Sequence, residues 1–251
     1  VSELCQTPGG YRFLPGAIGA PYSSGVIADP GFEIVHATLR APVPIWAGFE
    51  LIERYLARAG RPRAALCACE LRCARPYTPE DWLGPGSFNQ QYSARLRDLG
   101  LFVGDLNPIA RSNVAARRDP PAEQVLFAFS YTIPAPAGHS GPTFIVSGSG
   151  ESPDVRPGER SPEAIREKLA DCMATERARL AGLGLDWKDV NTLNLYLAET
   201  VDARLLDVLL GPLGPNGRFG VHWYESTPPI SNLDVEVDAR GVRTELFIDP
   251  N

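Results

Sequence analysis

The sequence predicts an α+β protein made of two tandem copies of one small domain, with sheets packed face to face and helices outside. Three observations carry that expectation. The order strand, helix, strand, helix, strand, strand runs through the chain twice. Glycines and prolines gather in the connections rather than inside the elements. Helices that alternate with strands, yet close with adjacent strands, lie on one face of a sheet. The bare face then needs a cover, and a second sheet is the usual one.

The first copy is expected over 1–135. In PIWAGFELIERYLARAG, Ile45, Phe49, Ile52 and Leu56 recur at helical spacing and Gly60 stops the run. AALCACELR (64–72) reads as a strand. Its period of two puts Leu66, Ala68, Glu70 and Arg72 on one face, and Cys67, Cys69, Leu71 and Cys73 on the other. The cysteine face belongs under the helices, so Glu70 and Arg72 project toward a neighbouring domain. SFNQQYSARLRDLG is a second helix; ARSNVAARR and EQVLFAFSYT are closing strands. A linker rich in Pro, Ala and Gly follows at 133–142.

The second copy, 140–251, repeats the order. GPTFIVSGSG is a strand with a glycine turn, and the long helix after it has Ser161 as cap and Pro162 in first position. DVNTLNLYLAE is a strand, VDARLLDVLLGPLG a shorter helix, and FGVHWYES and LDVEVDA close the copy. Asp234, Glu236 and Asp238 alternate, which reads as a solvated strand face balanced by Arg240 and Arg243.

Composition removes several function classes. With net charge −6 and no basic stripe, a nucleic-acid surface is not expected. No apolar stretch nears the roughly 18 residues of a membrane span, and VSELCQTPGGYRF is no signal peptide. Three of the five cysteines share one strand, so free thiols in the cytoplasm are expected. His36, His139 and His222 are far apart, and HExxH and CxxC are absent, so no metal site is expected. Phosphate loop, dinucleotide fingerprint and GxSxG elbow are missing too.

Six segments in order carry a resemblance: GAIGAPYSSGV (16–26), FNQQYSARL (88–96), NPIARSNV (107–114), FIVSGSGE (144–151), GLDWKDVNTLNLYLAETVD (184–202) and LDVEVDA (233–239). Together they resemble the Rid/YjgF superfamily of chorismate-mutase-like domains. YRFLPG, CACELR, NPIARSNV and PPAEQ are similar to its two-domain aminomuconate deaminases. The resemblance implies hydrolytic deamination of a 2-aminomuconate-type dicarboxylate, chlorinated or not, in aromatic amine degradation. It also implies no metal or organic cofactor, and a homotrimer holding six Rid-like domains.

It assigns roles as well. Arg111 would bind a carboxylate, since a planar guanidinium offers two parallel hydrogen bonds. Tyr22 belongs to a loop that closes over the ligand, and Ser147 to a Ser-Gly turn facing it. Glu236 would position water. Read from the strand pattern, Glu70 either moves protons or pairs with Arg72 at the interface, and Arg72 is a candidate for substrate binding. His222, beside Trp223 and Tyr224, is a further candidate. The arginine occurs only in the first copy, and the Ser-Gly pair and Glu236 only in the second. A complete site is therefore expected across a seam between domains. Two rival functions are a chorismatase-like hydrolase or lyase and a non-catalytic binder of small carboxylates.

Overall fold

The computed structural model describes residues 3–250 apart from Ile18 and Ser140. The first half contains β1 (Cys5–Gln6), β2 (Tyr11–Leu14), β3 (Gly25–Ala28), β4 (Phe32–Pro44), α1 (Ile45–Arg58) and β5 (Leu66–Cys73). It continues with α2 (Pro79–Leu83), α3 (Phe88–Asp98), β6 (Ala110–Ala116) and β7 (Val125–Pro134). The second half opens with β8 (Phe144–Gly150), α4 (Pro162–Gly182), β9 (Thr192–Leu197) and α5 (Ala203–Leu213). It ends with β10 (His222–Tyr224), β11 (Ser226–Thr227), β12 (Val235–Gly241) and β13 (Thr244–Ile248).

One sheet runs β1-β2-β3-β8-β12-β9-β10 and the other β11-β6-β5-β7-β4-β13. The repeat lies inside them: β6-β5-β7-β4 and β10-β9-β12-β8 are the same arrangement. In each, the pair joined through the second helix is parallel (β5 with β6, β9 with β10) and the other two pairs are antiparallel.

Strands outside the repeat cross between sheets. β1, β2 and β3 extend the sheet of the second half, β3 lying antiparallel to β8. β11 and β13 join the sheet of the first half, β13 parallel to β4.

Helices cover the outer faces as the periodicity predicts. Ile45, Phe49, Ile52 and Leu56 of α1 pack with Tyr92 and Leu96 of α3 on one sheet. Ile165, Leu169 and Cys172 of α4 pack with Leu205 and Leu209 of α5 on the other. Each such burial contributes roughly 1.5–3 kcal/mol. Ser161 caps α4, accepting from the Ala164 amide at 3.2 Å, and Ser87 caps α3.

Between the sheets, Tyr11, Phe13, Val26, Ile34, Cys67 and Ile145 belong to an apolar cluster. Much of the rest is polar: Glu70, Arg72, Ser112, Asn113, Glu236, Asp238 and Arg240 are all buried. Charged groups are seldom placed so deep without partners or a use.

Three local expectations change. Opposite β7, β5 shifts register between Leu66 and Ala68, and such a bulge exchanges the faces of the residues before it. Leu66 therefore joins Cys69 and Leu71 under the helices, while Cys67 turns into the inter-sheet cluster. The acids of LDVEVDA are not solvated: Asp234, Glu236 and Asp238 are buried. Asp234 turns to Lys168 and Arg160, and the other two face the opposite sheet. Finally, Ser147–Gly150 is no turn but part of β8, with Ser149 and Gly150 paired to β12 and Ser147 and Gly148 at an irregularity in that pairing.

All five cysteines are free. Among the described residues, no helix is long and apolar enough to cross a membrane.

Candidate active site

The site lies where the edge of β6 meets the second half. Ser147 fastens the two: its hydroxyl accepts from the Arg111 amide at 3.0 Å and donates to the Ser23 carbonyl at 2.6 Å. That occupies the hydroxyl with backbone, so Ser147 holds the strands in place and is absent from the cleft beside it. The cleft is narrow, about 60 Å³, and its walls include Tyr22, Trp82, Arg111, Asn113, Glu236 and the turn at Pro228–Pro229.

Arg111 is buried, at 3% exposure. Its Nη2 donates to Asn89 Oδ1 at 2.8 Å, and Asn89 in turn donates to the Trp82 carbonyl at 2.9 Å. Rings surround the guanidinium carbon, with centroids at 4.6 Å for Tyr22, 4.8 Å for Tyr92 and 5.2 Å for Trp82. Such cation–π contacts contribute roughly 0.5–2 kcal/mol each. Arg111 Nη1 is buried and, among the described residues, has no hydrogen-bond partner. Burial pushes the pKa of this arginine down, opposed by Tyr92, Tyr22 and Glu236. A desolvated cation with an unpaired N–H has the chemistry to accept a carboxylate.

Glu236 forms another wall. A β-carbon on residue 148 would clash with Glu236 Oε1, so any larger residue there would have to displace the carboxyl. Burial pushes the Glu236 carboxyl up to about 8; Asp238 adds to the rise, while Arg179 and Arg111 oppose it. It therefore holds a proton at neutral pH. Asp238, next along the same face, is raised to about 6 by burial and by Glu70. It accepts from Ser112 Oγ at 2.6 Å, Tyr196 Oη at 2.8 Å and Asn194 Nδ2 at 2.9 Å.

Glu70 lies in a different cluster. Its carboxylate is 3.4 Å from Arg240 Nη1, 3.6 Å from His36 Nε2 and 3.7 Å from Arg72 Nη2. Burial, with Arg240, lowers His36 to about 3, so that imidazole is neutral. The Arg72 pair forms, and Glu70 also lines a small enclosed cavity together with Arg111, Ser112, Asp238 and Arg240. Arg72 lies over Phe127 at 4.0 Å and opens onto a different groove. His222 is exposed on β10, opposite Asn194.

The cleft thus gathers Arg111 and Tyr22 from the first half and Glu236 from the second, leaving Glu70, Arg72, Ser147 and His222 outside its lining. Asn89, Trp82 and Tyr92 escape the sequence reading. Asn89 left a trace, as a polar residue on the apolar side of α3 between Phe88 and Tyr92. Among the described residues, no three His, Cys, Asp or Glu side chains gather as a metal site.

A family model described as 2-aminomuconate deaminase CnbZ matches residues 4–246. The 2-amino-5-chloromuconate deaminase of Comamonas testosteroni is 34% identical, covering 96% of this chain and 97% of that protein. Among solved structures, a chorismatase aligns over 95% of this chain and 79% of its own at 12% identity, with a TM-score of 0.45. The YjgF gene product of E. coli aligns over 43% of this chain and 84% of its own at 14% identity, with a TM-score of 0.25.

Proposed function

The chain belongs to the 2-aminomuconate deaminase family and deaminates an aminomuconate; we propose that it does so hydrolytically, in the cleft around Arg111. One observation carries this reading. Arg111 and Glu236, from different halves, line one narrow cleft, the first with an open N–H and the second with a proton held near neutral pH.

Arg111 takes a carboxylate of the diene diacid on its free Nη1, which fixes the substrate's length in the cleft. The flat cleft beside Tyr22 and Trp82 suits a conjugated plane. Protonated Glu236 gives its proton to a carbon of the diene as the nitrogen lone pair moves in, leaving an iminium at C2. The resulting carboxylate takes a proton from water as the water oxygen bonds to C2. Return of that proton to nitrogen expels ammonia; the hydroxyl proton then passes to the Glu236 carboxylate, restoring its acid form, and C2 becomes a carbonyl. Diene amine and water thus give the 2-oxo acid, or its 2-hydroxy tautomer, and ammonia. A carboxyl poised near 8 can serve as acid and then as base, and such transfers contribute about 10²–10⁴-fold.

Every step is a proton transfer or the addition of water, so the reading includes no metal or organic cofactor. It also includes a chlorinated analogue as substrate, a role in aromatic amine degradation, and a homotrimer in the cytoplasm. The test is to incubate the protein with 2-aminomuconate and measure ammonia. A rate no faster than the spontaneous one at several pH values would overturn the reading, and a monomeric solution mass would remove the trimer.

A further inference from the structure

A second guanidinium is built like Arg111 and has no part in the cleft. Arg72 is 6% exposed. Its guanidinium carbon lies 4.0 Å from the Phe127 centroid and 5.3 Å from those of Tyr196 and Tyr224. Nη1 donates to the Leu71 carbonyl at 2.9 Å, and Nη2 is buried with no hydrogen-bond partner among the described residues. The Glu70 carboxylate approaches Nη2 only to 3.7 Å and is shared with Arg240 at 3.4 Å.

Arg72 forms part of a groove of about 520 Å³ where β10 lies beside β6 and β7 of the other sheet. Phe127, Trp223 and Tyr224 give it flat apolar walls, and Ala116 and Pro42 line it as well. Its lining shares no residue with that of the Arg111 cleft. Arg118 and Glu225 of the lining neutralise each other at 2.7 Å, and Asp119 is exposed. Arg72 is then the buried charge that this groove presents to a ligand.

We propose that this groove is a second carboxylate site, which takes a planar aromatic or unsaturated acid with its carboxylate on Arg72 and its ring between Phe127, Trp223 and Tyr224. The volume falls in the range of small-molecule sites. An aromatic plane gains stacking area there, and the buried, unpaired Nη2 gains the acceptor it lacks.

The experiment is calorimetric titration with benzoate, a planar acid without an amino group, in an Arg111→Gln background that disables the first cleft. One benzoate per chain is expected. Adding Ala116→Phe fills the groove while leaving Arg72 and Glu70 in place, and binding should disappear. Adding Arg72→Lys instead keeps the charge without the planar fork, and should weaken binding about tenfold or more. Benzamide, the uncharged analogue, should bind at least about tenfold more weakly than benzoate. Thermal melting checks that each variant folds, and either substitution suffices if the other does not. No benzoate binding in the Arg111→Gln protein, undiminished binding in the folded groove variants, or equal binding of benzamide would each overturn the site. None of these readouts uses deamination, so the site and the catalytic reading stand or fall separately.

Discussion

Glu236 lies over Gly148 so closely that a β-carbon on the glycine would clash with the carboxyl's Oε1. One residue of β8 therefore sets where the acid of β12 stands. Gly148 is not at a positive φ; it is small for the sake of its neighbour. Gly148→Ala should displace Glu236 and crowd Ser112, destabilising the protein by about 1–3 kcal/mol. Ammonia release should fall further than the loss of folded protein accounts for, which kcat and thermal melting measured together will show.

Glu236→Gln removes the transferable proton but keeps the volume. Its kcat should fall about 10²- to 10⁴-fold with KM little changed. In the parent, activity that needs the acid form should decline as pH rises through about 8. A profile flat across that region would contradict the assignment.

The same residue makes a stability prediction of definite sign. Its folded pKa is raised from 4.5 to about 8, so between those values the folded state holds a proton that the unfolded chain has released. Parent stability should drop as pH climbs through that window and level off above it. Glu236→Gln should thus melt at a higher temperature than the parent near pH 9, with the gain vanishing toward pH 4.5.

Arg111→Lys tests the carboxylate receptor. An ammonium keeps the charge but cannot both bond Asn89 and present a second, parallel N–H. KM should rise about 10- to 100-fold. Asn89→Ala should reproduce part of that rise by loosening the guanidinium, without shifting the pH profile set by Glu236.

Glu70→Gln should act on stability rather than chemistry. It leaves Arg72 and Arg240 buried with one carboxylate fewer, at a cost of about 3–5 kcal/mol. If kcat collapsed while the melting temperature held, Glu70 would regain the role of proton carrier.

What the sequence disclosed was local, and what it concealed was long-range. The duplication shows in element order because helical and strand periods are written in neighbouring residues. Arg111 is legible through NPIARSNV, a continuous segment. Glu70 is not, because Arg240 lies 170 residues away and only folding brings them together. The burial of Glu236 is not legible either, since alternating acids look the same facing water or a polar interior. The bulge that flips Leu66 and Cys67 leaves no mark in LCACELR, whose alternation continues through it.

The exchanged edge strands bear on how this pocket persists. The chain is laced rather than beaded: its beginning is sewn into the far sheet, and its tail, through β13, into the near one. Nicking it within 133–142 would leave two fragments, each carrying strands that belong to the other's sheet. Arg111 and Glu236 cannot drift apart unless ladders in both sheets tear. The spacing of the reactive groups is thus guarded by the weave itself, with no covalent staple needed.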